Sequence, residues 1–382
     1  MTSYFEFNTL TAANFAAPYL PGRVIDSREV GDGNLNRVFR VEAEHGSVVV
    51  KQALPYLKVA GGDWPLTRDR AKIERWALNE HGRLVRGMVP EVVHFDEDLS
   101  AIVLEDLREF RSWRDLLVSA TPTPGVAAQI GRYCASVLLG TSHVVQSSAE
   151  RKALRSRFGY SELCLVTEEL VFTAPYTDAA SNRFDPEIEP EAVALREDGA
   201  LKAAVAELRY AFRTRDEALI HGDLHSGSVM VGPTVPRVID LEFAFFGPIG
   251  FDLGLLTANL ALSAIAHGAR GDRRFVHEVA GYAREFWDAF VDECRLMWQP
   301  TEPWFHRFMS GVLVDAARFA GLEMIRRVVG LAHVADIDSL EQPARLIAQR
   351  AAITGGRALV VGHSVTDFEE LWLRATLGAD LP

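Results

Sequence analysis

Cysteine is nearly absent from this chain. Three in 382 residues, Cys134, Cys164 and Cys294, lie too far apart for a disulfide framework or a zinc cluster, which points to a reducing compartment and leaves them as small core residues. Basic residues are in deficit as well: 40 Lys and Arg against 52 Asp and Glu give a formal charge of −12. Phosphate backbones select the opposite sign, so no nucleic-acid partner is expected. No charge-free run is long enough to cross a bilayer, and the opening MTSYFEFNTLTAANFAAPYL lacks the basic start and unbroken apolar stretch of a signal peptide. A soluble, cytoplasmic protein with no membrane partner is expected. Internal repeats, low-complexity tracts and heptad runs are also missing. With 48% hydrophobic residues, the composition suits one bilobal enzyme with a substantial core.

What the chain does have is concentrated between Leu219 and Gly254, LIHGDLHSGSVMVGPTVPRVIDLEFAFFGPIGFDLG. Three acids, Asp223, Asp240 and Glu242, fall at the ends of short apolar runs, a pattern that suits a cleft better than a solvated face. A His-X-Asp loop followed by a strand ending in a second Asp is the layout of a phosphoryl-transfer site, with Asp223 as base and Asp240 as metal ligand. Protein kinases place Asn five residues after the base and Gly two after the metal-binding Asp; here those positions are Ser228 and Glu242. An Asp-X-Glu pair can supply magnesium with the hard oxygens otherwise given by Asp and Asn. His221 and His225 read as packing residues, because magnesium prefers oxygen to imidazole. Asp252 reads as a helix cap or a brace for the Asp223 loop.

Nearer the start, Val30-Gly31-Asp32-Gly33-Asn34-Leu35-Asn36 precedes an alternating strand that ends at Lys51. A Gly-rich hairpin feeding such a strand can cover nucleotide phosphates with N–H groups and present an ammonium to them, although Asp-Gly-Asn alone is also an ordinary turn. A helix over 67–85, with Ile73, Ala77, Leu78 and Leu84 roughly on one face, carries Glu74 as a candidate partner for Lys51, with Glu80 less well placed. Further helices are predicted over 124–142, 195–218, 254–267, 275–297, 305–334 and 367–377, with surface loops at 173–190 and 268–274.

In this order and spacing the chain resembles the S-methyl-5-thioribose kinases, within the group that holds choline kinases and aminoglycoside phosphotransferases. The resemblance covers nearly the whole sequence and rests on GDGNLN, KQALPY, GGDWPLTRDRA, HFDED with VLEDL, HGDLHSGS, EFAFFGPIGFDLG and MIRRVVGLAHVADI. HGDLH marks only the wider group; the Asp-X-Glu, the Trp64 loop and Arg326-Arg327 mark the narrower one. Two positions depart from the usual pattern: Leu241 stands where Pro is usual and Ser226 where Thr is usual. Neither removes a ligand, but Leu241 frees a backbone dihedral between the acids.

The resemblance implies an α+β, protein-kinase-like fold: a small, mainly antiparallel β lobe over 1–107 ending in a hinge, and a large helical lobe over 108–382. It implies ATP with Mg2+, adenine against the backbone of Glu105, Asp106 and Leu107, phosphates near Gly31, Gly33, Asn34, Lys51 and Leu241, and the metal on Asp240 and Glu242. Asp223 would accept the proton of the sugar 1-hydroxyl, and a homodimer is implied. Trp64 could close over a methylthio tail, and Arg326 and Arg327 could bind sugar hydroxyls or phosphoryl oxygens. An isolated Trp is more often core, however, and an Arg pair more often a solvated helix face. The remaining alternatives are a kinase of the same fold for 5-deoxyribose, another pentose or an amino alcohol, and a catalytically silent nucleotide-binding regulator.

Overall fold

The alternating segment that ends at Lys51 forms the centre of a five-stranded sheet. Strands β1 (Val24–Glu29), β2 (Asn36–Ala43), β3 (Gly46–Ala53), β4 (Val92–Asp96) and β5 (Ala101–Glu105) lie in the order β1-β2-β3-β5-β4, every pair antiparallel. The computed structural model describes residues 4–30, 35–57, 64–159, 162–299, 301–362 and 364–378. Side chains alternate between the two faces of a strand, and here the faces feed different cores. Val48, Val50, Ala101 and Val103 pack with Phe7 and Ala12 from the N-terminal segment, whereas Ala53, Ile102 and Leu104 join the main core. Lys51 lies opposite Ile102 on that second face. A register slip of one residue would drive its ammonium into the apolar N-terminal cluster, so burial fixes the pairing.

Beyond the sheet the chain is mostly helical. Helix Ile249–Ala269 runs through the middle, packed by helices Arg273–Trp298, Glu302–Val329 and Ala344–Val361. Among the described residues it is the helix long and apolar enough to span a membrane, and that window is wholly buried in the protein core. Its apolar character is therefore that of an element surrounded on all sides.

Several expected boundaries move. The helix expected over 195–218 is two, Glu189–Glu197 and Gly199–Thr214, separated at Asp198, whose carboxylate accepts the Leu201 N–H at 3.0 Å; the strand Ala218–Ile220 follows. A capping Asp inside a periodic run stops one helix and starts the next. The helix expected from Gly254 begins at Ile249 and takes Asp252 into its first turn. The helix expected over 305–334 spans Glu302–Val329 and ends at Gly330. Helices Ser148–Arg157, Leu163–Phe172 and Ala344–Val361 were not anticipated, and Ala174–Tyr176, inside the expected surface loop, is buried. Cys134 and Cys294 are buried, but Cys164 is only partly so.

Helix Arg70–Leu84 is tied to helix Val126–Gly140 by His81, whose Nδ1 lies 2.7 Å from the Tyr133 hydroxyl. Burial, reinforced by His221 nearby, takes the His81 imidazole from 6.5 down to about 3. Between those values the unfolded chain binds a proton that the folded one refuses, so stability is lost as pH falls below about 6.5. For this one group the loss between pH 7 and pH 5 is about 2 kcal/mol. His81→Gln should flatten the dependence by that amount, measured by urea unfolding at the two pH values; equal slopes for both proteins would remove His81 from the acid response.

Candidate active site

The Asp223 loop is shaped by its backbone. Strand Ala218–Ile220 pairs with Phe245–Gly247, and between them Gly222 adopts φ +84° against the Phe243 carbonyl. A Cβ there would meet that oxygen at 2.3 Å, so only glycine fits. Asp252 braces the loop: its oxygens accept the N–H groups of His221 at 2.6 Å and Gly222 at 3.0 Å. The His221 ring accepts the Asp223 N–H on Nδ1 at 3.2 Å and lies 2.8 Å from the Ile239 carbonyl through Nε2. Nδ1 accepts, so Nε2 carries the proton, and the imidazole ties the Asp223 loop to the strand leading into Asp240. His225, expected to be structural, also stands beside Asp223, with Nε2 3.5 Å from Oδ2. Burial holds His225 down at about 4, Arg114 and Arg327 opposing its charge and Asp223 favouring it.

Asp223 Oδ1 accepts from Arg326 Nη2 at 3.1 Å and lies 3.7 Å from Arg327 Nη2. Burial raises its pKa, but His225, Arg326 and Arg327 together outweigh that and hold the carboxyl well below its ordinary value. These groups line a cavity of about 520 Å3 together with Leu35, Leu57, Val166, Leu170 and Phe243, which pack as one apolar cluster. Sequence reasoning missed that apolar wall, since Val166 and Leu170 come from an unanticipated helix. Trp64 belongs to the same apolar cluster, and its carbonyl accepts the Leu57 N–H at 2.9 Å, but it is not among the residues lining the cavity. Arg114, also missed, lines the cavity and donates to Asn259 at 2.8 Å and Ser226 at 3.3 Å. No local pattern in RSWRDLL distinguishes it.

On the central strand β3, Lys51 Nζ lies 2.9 Å from Glu74 and 2.8 Å from Asp240. Glu80 instead pairs with Arg83. Burial lowers the Lys51 pKa, yet Asp240, Glu242 and Glu74 around it prevail and hold it well above the ordinary range. Burial pushes Glu74 up to about 7 against the pull of Lys51, with Glu242 and Asp240 adding repulsion. Asp240 sits in the left-handed region at φ +64°, and its side chain is 53% exposed. Leu241 is fully buried between the acids.

Glu242 differs sharply from Asp240. It is 4% exposed, its Oε1 accepts from Asn36 Nδ2 at 2.8 Å and its Oε2 from Arg70 Nε at 3.0 Å. Arg70, absent from the residues anticipated, uses its remaining donors on the Leu54 and Thr67 carbonyls at 2.7 and 2.6 Å, the Leu35 carbonyl and Asn36 Oδ1. All five N–H donors of this guanidinium are therefore taken. Magnesium seeks one or two carboxylates with phosphate and water oxygens. Asp240 fits that role, with Oδ2 making no hydrogen bond among the described residues. Glu242 meets it only by exchanging Asn36 for the metal.

Gly31, Gly33 and Asn34 lie outside the described residues. At the expected hinge, the Glu105 N–H donates to the Glu91 carbonyl at 2.9 Å, and Asp106 accepts from Arg40 at 3.0 Å and Ser47 at 2.7 Å. The Leu107 N–H makes no hydrogen bond among the described residues.

Removing one partner from a buried ion pair leaves an uncompensated charge, at a cost of about 3–5 kcal/mol. Arg70→Met should therefore destabilise the folded chain by about 3 kcal/mol, the low end because Asn36 and Lys51 still face Glu242. Urea unfolding measures it, and a change under about 0.5 kcal/mol would show that Arg70 is dispensable.

A model of the phosphotransferase enzyme family matches residues 26–286. The methylthioribose kinase of Pectobacterium atrosepticum is 40% identical over 394 residues, covering 98% of each chain. That of Yersinia enterocolitica is 39% identical and covers 96% of this chain and 97% of its own. Among solved structures, a choline kinase from Cryptosporidium parvum matches with a TM-score of 0.50 at 12% identity, covering 97% of this chain and 94% of that one, a likeness of fold. Such identity along nearly the full length, on a loop and cleft of this build, means that the chain belongs to the phosphotransferase enzyme family and, within it, to the methylthioribose kinases.

Proposed function

We propose that the protein transfers the γ-phosphoryl group of ATP to the 1-hydroxyl of S-methyl-5-thio-D-ribose, giving the 1-phosphate and ADP, a step of methionine salvage. What carries the reading is one cavity lined by Asp223, by the guanidinium groups of Arg114, Arg326 and Arg327 and by an apolar cluster, in a chain 40% identical to methylthioribose kinases over its length. A sugar with a hydroxyl to activate and a methylthio tail to desolvate needs both kinds of lining. The apolar wall would also take the bare methyl of 5-deoxyribose, which makes that sugar the informative competitor.

In the proposed reaction Asp223 orients the 1-hydroxyl, whose oxygen attacks the γ-phosphorus in line as the bond to the ADP oxygen breaks. Asp223 accepts the released proton. A carboxylate held this far below its ordinary pKa is a weak base, so proton transfer comes late, when the new O–P bond has largely formed. Lys51, kept cationic and fixed by Glu74, neutralises phosphate oxygens; Arg326 and Arg327 hold sugar hydroxyls or developing phosphoryl charge. Magnesium, held by Asp240 with Glu242 as second candidate, would supply charge neutralisation on the phosphates. Gly31, Gly33 and Asn34 are assigned to the phosphates and the backbone of Glu105, Asp106 and Leu107 to adenine, at a junction near residue 107 between a small and a large lobe. A cytoplasmic homodimer is part of the same proposal, as is a minor packing role for Trp64.

ADP release should be measured with methylthioribose and 5-deoxyribose side by side, with the phosphate then located on the sugar. Methylthioribose-preferring formation of the 1-phosphate is expected, and no turnover with either sugar would overturn the assignment. Asp223→Asn should lower kcat by about 10²- to 10⁴-fold while leaving nucleotide affinity nearly unchanged, measured by turnover and by calorimetric titration. A variant that keeps wild-type kcat would exclude Asp223 as the base.

A further inference from the structure

Adjacent residues on a helix point about 100° apart, yet Arg326 and Arg327 both reach the cavity and both approach the same oxygen of Asp223. The cause lies one turn earlier. Glu323 is 0% exposed, and its two oxygens divide the pair: Oε2 accepts from Arg326 Nε and Oε1 from Arg327 Nε, the latter at 2.6 Å. Positions three and four residues on are those a helical side chain can reach together. With each Nε–H anchored backward, the outer Nη groups are left to face forward. Arg326 Nη2 meets Asp223, and Arg327 Nη2 is a buried donor with no hydrogen-bond partner among the described residues, 3.7 Å from Asp223 Oδ1.

Glu323 is itself held. Asn259, buried on the central helix, donates to Oε1 at 3.4 Å and accepts from Arg114 at 2.8 Å and from the Ser226 hydroxyl at 3.4 Å. The carboxylate is thereby keyed to the loop that carries Asp223.

We infer that Glu323 is the positioning residue that converges Arg326 and Arg327 on the acceptor sugar, leaving the unpartnered Arg327 Nη2 to bind a sugar oxygen. The inference rests on the proposed sugar kinase reaction. Glutamine at this position offers one acceptor and one NH2 group, and the NH2 faces an N–H donor to donor, so one arginine is released. Aspartate there would keep the charge but withdraw it by about 1.5 Å.

The test compares Glu323→Gln and Glu323→Asp with wild type, and adds Glu323→Gln to the Arg326→Met/Arg327→Met protein. In Glu323→Gln, kcat/KM for methylthioribose should fall about 10- to 100-fold, with KM for ATP within about twofold. Glu323→Asp should lie between the two. In the double-methionine background Glu323→Gln should change the sugar kinetics by less than about twofold, because the groups it aims are gone. A general packing defect would instead add its full effect there and disturb ATP as well, and either outcome overturns the inference. So does a sugar kcat/KM within about twofold of wild type in Glu323→Gln or, should that protein not fold, in Glu323→Asp. The Nε–H signals assigned to Arg326 and Arg327, followed by 15N NMR in hydrogen exchange, read the bracket without any sugar: both are expected to be protected in wild type and only one of them in Glu323→Gln, and unchanged protection would overturn it. Failure of wild type to turn over methylthioribose would sink the proposed function and leave this readout standing.

Discussion

Arg70 spends every N–H it has on five acceptors drawn from four parts of the chain: Leu35 and Asn36, Leu54, Thr67, and Glu242 from beyond the Asp223 loop. A buried guanidinium is tolerable only when its donors are satisfied and its charge is matched. Glu242 matches it, and Asn36 takes the other oxygen of that carboxylate. The root of the glycine hairpin, the end of the Lys51 strand, the end of the Trp64 loop and the second acid of the Asp-X-Glu thus form one polar knot. None of these segments can shift without exposing a buried charge to an apolar neighbour.

The knot explains why two acids separated by a single residue behave differently. Asp240 stands half-exposed to solvent with one oxygen free of hydrogen bonds among the described residues, while Glu242 is enclosed by Arg70, Asn36 and Lys51. The left-handed backbone at Asp240 produces the split, turning successive side chains toward solvent and toward the sheet. Lys51 answers to both acids and to Glu74. Its ammonium is thus held in place by three carboxylates of the chain itself.

A second charged cluster is arranged on the same principle. Asp223, Arg326, Arg327 and Glu323 alternate in sign, with the most deeply buried carboxylate behind and the partly exposed one in front. Within the helix Glu302–Val329, Glu323 precedes the two arginines by three and four residues and offsets one of their two positive charges, while Asp223 faces the other. Unmatched hydrogen-bonding capacity in this cluster is left at the cavity face, where a polar ligand can meet it.

Much of this was legible in the sequence because it depends on short-range pattern. The alternation into Lys51 gave the antiparallel sheet, the apolar runs bounded by acids gave the Asp223–Asp240 unit, and Glu74 on a helix next in the chain was a sound partner for Lys51. Convergence was not legible. Arg70, Arg114 and Asn259 carried no signal of their own, and the wall of Val166 and Leu170 came from a helix whose mixed pattern concealed it. By itself the sequence determined which residues could do chemistry and in what order along the chain, since strand period, glycine requirement and charge spacing are local properties. Only the tertiary structure decided that Glu242 faces inward while Asp240 stays half-exposed, and that both arginines point one way, because those outcomes depend on how buried charges from distant segments satisfy one another.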